Sequence, residues 1–109
     1  MTSNDPLVLY GQTFTSRLLL GTARYPSPDV LEAAVRRARP AMLTASLRRQ
    51  TAVSFASGAA GVDDNGFWAL LRRLGVPVMP NTAGCHGVQE VIATAQMARE
   101  LFDTPWIKL

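Results

Sequence analysis

The sequence predicts an α/β domain: a short N-terminal hairpin followed by the order β-α-β-α-β-α-β, with parallel strands. Three observations carry that expectation. Short apolar runs bounded by glycine or proline recur at 17–21, 41–47, 76–80 and 106–109, with amphipathic helical patterns between them. Hydrophobic residues are 48% and charged residues 17% of the 109, a composition that builds a core and excludes intrinsic disorder. No apolar stretch reaches the ~20 residues of a membrane span, so no membrane partner is expected. Strands alternating with helices at this spacing join through right-handed crossovers into a parallel sheet. Such a chain fits a (β/α) barrel or a doubly wound open sheet.

Residues 7–14 read as a β-hairpin turning near Gly11. Arg17 to Gly21 is a continuous apolar run stopped by glycine, the pattern of a strand buried on both faces. Ser27, Pro28 and Asp29 then start a helix: an N-cap hydroxyl, a proline at the first helical position and an acid in the first turn. Its apolar stripe is Val30, Leu31, Ala34, Val35 and Ala38, with Glu32, Arg36 and Arg39 turned away, and Pro40 ends it. Ala41 to Leu47 is the second strand. Thr51 to Gly66 is a long loop rich in small and polar residues, a length that usually signals function or mobility. Phe67, Trp68, Leu71 and Leu74 predict a short core-facing helix stopped by Gly75. Val76 to Pro80 is the third strand, although prolines at 77 and 80 suit an edge better than a centre. Val88, Val91, Ile92, Ala95, Ala98 and Phe102 give the third helix its apolar face. Trp106 to Leu109 is the fourth strand.

The ending suggests a longer protein. A parallel sheet wants both faces covered, and an apolar strand with nothing after it leaves an edge open. Residues 1–109 are therefore expected to be the N-terminal portion of a single domain, interrupted after its fourth barrel strand. Three and a half βα units would be a little under half of an eight-fold barrel of about 250 residues. No charged n-region and apolar h-region opens the chain, and its single cysteine, Cys85, makes no internal disulfide, so the cytoplasm is the expected location. The net charge of +3 raises nucleic acid as a partner. The arginines stand in isolated pairs, however, and no aromatic interleaves with them as base stacking requires, so no nucleic-acid partner is expected. No Gly-x-Gly-x-x-Gly follows the first strand, which tells against a dinucleotide cofactor. One histidine, one cysteine and scattered acids show no metal-ligand spacing.

Ten of the eleven basic residues are arginine; the one lysine is Lys108. An ordinary lysine is a free amine at only roughly 0.04% at pH 7. Burial in an apolar barrel would raise that fraction, as an amine nucleophile attacking a carbonyl requires. Arginine cannot substitute, because its guanidinium keeps its proton. The alternative is a strand-end lysine reaching for solvent. Asn81 and Thr82 open a small-residue loop, 81–85, after the third strand. In a parallel barrel such loops line the catalytic face, and a helix N-terminus behind Gly87 offers N–H groups to an anion. The same residues also suit a plain tight turn. Arg48 and Arg49, at the same end, would suit a substrate phosphate or carboxylate, or a solvated rim. Cys85 and His86 are adjacent, which seldom lets two side chains face each other as nucleophile and base.

Five stretches taken together resemble the thiazole synthase family of bacterial thiamine biosynthesis. They are Phe14–Thr22, Leu43–Arg49, the Leu71-x-x-Leu74-Gly75 pattern, Met79–Cys85, and Ala98–Glu100 leading into Trp106–Leu109. The combination of Pro-Asn-Thr-Ala-Gly-Cys with Trp-Ile-Lys-Leu about twenty residues later carries most of the specificity, and the 56–66 loop looks like a variable family loop. The resemblance implies a (β/α)8 TIM barrel. It also implies condensation of 1-deoxy-D-xylulose 5-phosphate, dehydroglycine and the sulfur of a sulfur-carrier protein thiocarboxylate, and a dehydroglycine-producing enzyme as second partner. The position matching Lys108 is the family's imine-forming lysine. The family's general acid/base residues and phosphate loops would fall beyond Leu109, so these residues alone are expected to be inactive; the full-length protein would be a homo-oligomer. Two rivals remain: another imine-forming, phosphate-binding barrel of the aldolase kind, and a non-catalytic half-barrel interaction module.

Overall fold

The computed structural model of the chain describes residues 5–47 and 66–109. The hairpin is formed by β1 (Leu7–Leu9) and β2 (Gln12–Phe14), paired antiparallel with Leu7 opposite Phe14. Both turn residues, Tyr10 and Gly11, have positive φ (48° and 82°), and a turn of that hand matches the natural twist of two paired strands.

Next come β3 (Leu19–Gly21), α1 (Pro28–Ala38), β4 (Met42–Ser46), α2 (Phe67–Leu74), β5 (Val78–Asn81) and α3 (Val88–Phe102). The three strands form one parallel sheet in the order β3-β4-β5, so each pairs with its predecessor in the chain. Side chains alternate between the faces of a strand, and residues paired across strands share a face. On one face Leu20, Leu43 and Val78 form a row beside Ala45 and Pro80. The core gathers there, with Leu31 and Val35 of α1, Trp68, Leu70 and Leu71 of α2, and Ala98 of α3. All three helices thus cover one side of the sheet. Sequential parallel strands with helices on one side fit the wall of a barrel, and equally one half of a doubly wound sheet before its strand order reverses.

The helices start and stop as the sequence predicts. Val30 N–H donates to Ser27 Oγ (3.3 Å) at the N-cap of α1, Pro28 follows, and Arg39 closes the helix with its N–H on the Val35 carbonyl (2.9 Å). Gly75, at φ 71°, ends α2 in a left-handed conformation that costs glycine least. Trp68, almost fully buried, meets Phe67 and Phe102 edge-on at centroid distances of 4.8 and 5.1 Å, joining α2 to α3. Glu32 joins α1 to α2: its carboxylate accepts from Arg36 (2.7 Å) and Arg73 (2.9 Å). Those two hydrogen bonds, Arg36 first, hold its carboxyl below the ordinary carboxylate range.

Four expectations are corrected. The first strand is limited to Leu19–Gly21, because pairing with β4 begins at Leu19 opposite Met42. The third lies at Val78–Asn81, one to two residues later than its apolar pattern suggests, so Asn81 is the last strand residue rather than a loop residue. On α3 the buried face is rotated: Thr94 and Ala98 are buried, while Val88 and Ile92 are exposed.

The fourth strand, expected over 106–109, is a single parallel bridge between Asn81 and Lys108. Lys108 N–H donates to the Pro80 carbonyl (2.8 Å), and Thr82 N–H donates to the Lys108 carbonyl (3.2 Å). In a parallel ladder the preceding rung would run from the residue 80 N–H to the Trp106 carbonyl. Proline has no N–H to give, so the ladder cannot extend backward. Trp106 instead lies against the hairpin, its ring 5.7 Å from Tyr10 and 6.3 Å from Phe14.

Candidate functional site

The sheet face away from the helices carries Asn81 and Lys108 among the candidate residues. Pairing aligns Gly21, Thr44 and Met79 in one row and Ser46, Asn81 and Lys108 in the next, toward the carboxyl ends of the strands. The second row brings the lysine and one of the loop candidates together on neighbouring strands, about 4.8 Å apart in the hydrogen-bonding direction. Thr82 follows directly and is tied to Lys108 through its backbone N–H. Arg48 and Arg49, and the 51–66 loop except Gly66, lie outside the described residues.

Lys108 is exposed within these 109 residues. The cause is its place in the sheet. It sits on the outer side of β5, on the face that no helix covers, and its row neighbours are the polar Ser46 and Asn81.

The loop after β5 is held from several directions. Ala83 N–H donates to Asn81 Oδ1 (3.0 Å), and Ser46 Oγ donates to the Ala83 carbonyl (3.3 Å). Ala83 is therefore gripped through its N–H from β5 and through its carbonyl from β4. Cys85 N–H closes a turn on the Thr82 carbonyl (3.1 Å), with Gly84 at φ 89° inside it. The tight turn expected over 81–85 is thus formed, at the carboxyl end of the sheet. The thiol of Cys85 lies 3.3 Å from Thr94 Oγ1 on α3, and no contact joins it to the His86 ring. At the N-terminus of α3, Glu90 accepts from His86 N–H (2.9 Å). A carboxylate already stands where the sequence offered bare N–H groups to an anion. Among the described residues, no three His, Cys, Asp or Glu side chains converge on a metal position, and no helix is long and apolar enough to cross a membrane.

Sequence reasoning missed Ser46, and with it Thr44 and Thr22, whose Oγ1 donates to the Thr44 carbonyl (2.8 Å). The signal was present. Thr44 and Ser46 interrupt an apolar strand at a spacing of two, which places both on the face opposite Leu43 and Ala45.

Comparison with known proteins agrees with this arrangement of motifs. The family model for "Thiazole biosynthesis protein ThiG" matches residues 8–109. This chain belongs to that family. A thiazole synthase of Variovorax paradoxus is 82% identical over 106 residues, covering 97% of this chain and 37% of the relative. One from Paracidovorax citrulli is 72% identical, covering 98% of this chain and 38% of the relative. One from Neisseria gonorrhoeae is 61% identical, covering 94% and 37%. The chain thus spans little more than a third of the length of these relatives, whose shared name is that of a biosynthetic enzyme.

Proposed function

We propose that this chain is the N-terminal part of a (β/α)8 thiazole synthase in which Lys108 forms an imine with a ketose phosphate. The observation that carries the reading is the family match over residues 8–109. The helices on one side of sequential parallel strands fit a barrel, and Lys108 at the carboxyl end of the sheet stands where barrel enzymes keep their reacting groups.

The substrates are then 1-deoxy-D-xylulose 5-phosphate, dehydroglycine from a partner enzyme, and sulfur from the thiocarboxylate of a sulfur-carrier protein. The Lys108 amine adds to the ketone of the sugar and water leaves. The resulting imine withdraws electrons and acidifies the neighbouring C–H bonds, permitting the isomerisation that precedes sulfur attack. Thr82 and Arg48 are proposed to contribute to binding this substrate. General acid/base residues and the phosphate site would come from the remaining two-thirds of the barrel, whose later strands would also cover Lys108. These 109 residues alone would be inactive; the complete enzyme would be a cytoplasmic homo-oligomer.

The test uses a full-length chimera in which this chain replaces the matching 37% of the Variovorax paradoxus relative. Borohydride added with the pentulose phosphate should fix the sugar to the protein, with the added mass on the peptide containing Lys108. Lys108→Arg should leave the fold intact and abolish the adduct. An arginine variant that still traps the sugar would remove Lys108 from the mechanism.

A further inference from the structure

The Asn81 side chain has two ends, and the loop uses only one. Its Oδ1 accepts from Ala83 N–H at 3.0 Å, a contact that only the oxygen can make because the partner is a donor. The amide is planar, so fixing Oδ1 on that peptide also fixes Nδ2, on the side away from the Ala83 nitrogen. Among the described residues Nδ2 meets no acceptor. Asn81 is half-buried, and its cross-strand partner on the same sheet face is Lys108. Ser46, next in the row, holds the carbonyl of the same residue, Ala83, and Thr82 N–H fixes the Lys108 backbone from the next residue along. A hydrogen-bond donor of fixed direction therefore stands one strand away from the amine.

We infer that Asn81 Nδ2 donates to the substrate carbonyl oxygen that the Lys108 amine attacks, making Asn81 a second catalytic residue of imine formation. This rests on the imine chemistry proposed above. As the nitrogen lone pair forms the C–N bond, the carbonyl π pair moves onto oxygen, where a prepositioned N–H is worth most. A proton from the nitrogen then reaches that oxygen, giving the carbinolamine. Loss of the hydroxyl with the second nitrogen proton, as water, leaves C=N. The donor keeps its own hydrogen throughout. Asparagine suits the post because it cannot compete with the lysine for protons and brings no charge that would hold the ammonium in place.

The discriminating pair is Asn81→Ala and Asn81→Asp in the full-length chimera, read as the rate of borohydride-trapped adduct at saturating pentulose phosphate. Aspartate keeps an oxygen for Ala83 N–H but has no N–H to donate. Both variants should fold normally and trap the sugar more slowly by about tenfold or more, the loss expected for one missing hydrogen bond to a developing charge. The aspartate carboxylate also favours the Lys108 ammonium, so trapping is followed upward in pH until its rate levels off. The deficit should persist on that plateau. An Asn81→Asp rate equal to wild type would reduce Asn81 to a brace for the turn. A deficit that disappears at high pH would be a charge effect on the lysine, and either result overturns the inference. Failure of the parent reading looks different: the wild-type chimera would trap no sugar, or Lys108→Arg would still trap it.

Discussion

The two faces of β4 should separate stability from chemistry. Leu43 is fully buried on the helix side, between Leu20 and Val78. Leu43→Ala deletes three buried carbons, which at about 0.8 kcal/mol each loses about 2.4 kcal/mol of transfer free energy. The cavity between sheet and helices adds to this and brings the cost to about 3–4 kcal/mol, inside the range observed for buried leucines. For a domain of barrel size, each kcal/mol lowers Tm by roughly 2–4 °C, so a fall of about 10 °C is expected. Ser46→Ala, three residues along on the other face, removes one hydrogen bond to the Ala83 carbonyl at a cost of about 1 kcal/mol. It should melt within a few degrees of wild type yet slow imine trapping, because the turn that Asn81 braces loses its side-chain tie to β4 at Ala83. The assay is a thermal melt of each variant in the full-length chimera, with adduct formation measured well below both melting temperatures. Leu43→Ala should trap at close to the wild-type rate. A Leu43→Ala protein that melts like wild type, or that traps slowly while Ser46→Ala traps normally, would refute the division of labour between the faces.

Three further outcomes are expected. Glu32 has a folded-state carboxyl pKa below its unfolded value, so the stability it contributes is present above the unfolded pKa and is lost as pH falls through the folded one; urea melts across the acid range should show a shallower pH dependence in Glu32→Gln. Cys85→Ala should retain the trapped adduct, since the thiol faces Thr94 on α3 rather than the lysine row; loss of the adduct in a folded variant would reopen a role for the thiol. Pro80→Ala supplies the N–H whose absence stops the fourth strand at one bridge. Hydrogen exchange should find the new amide at position 80 protected by the Trp106 carbonyl, and rapid exchange there would contradict the explanation.

Much of this protein was determined by the sequence alone. The hairpin, the N-cap at Ser27, the stop at Gly75, the burial of Trp68 and the alternation of strands with helices all follow from local chemistry, which acts over a few residues. Lys108 stood out by residue type and Asn81 by its place after an apolar run, and the motif combination pointed to the family that the comparison then showed. The tertiary structure decided the rest, because each remaining question depended on register between distant segments. Which face of α3 is buried depended on where β5 and α2 placed its neighbours, and that turned Val88 and Ile92 outward. That all three helices lie on one side of the sheet depended on which side the crossovers took. That Ser46, Asn81 and Lys108 form one row required three strands, 62 residues apart from first to last, to pair in one register. The limit of the fourth strand to a single bridge followed from one missing N–H on a neighbouring strand, a constraint visible in the sequence as Pro80 but assigned to Trp106 only once the two strands lay side by side.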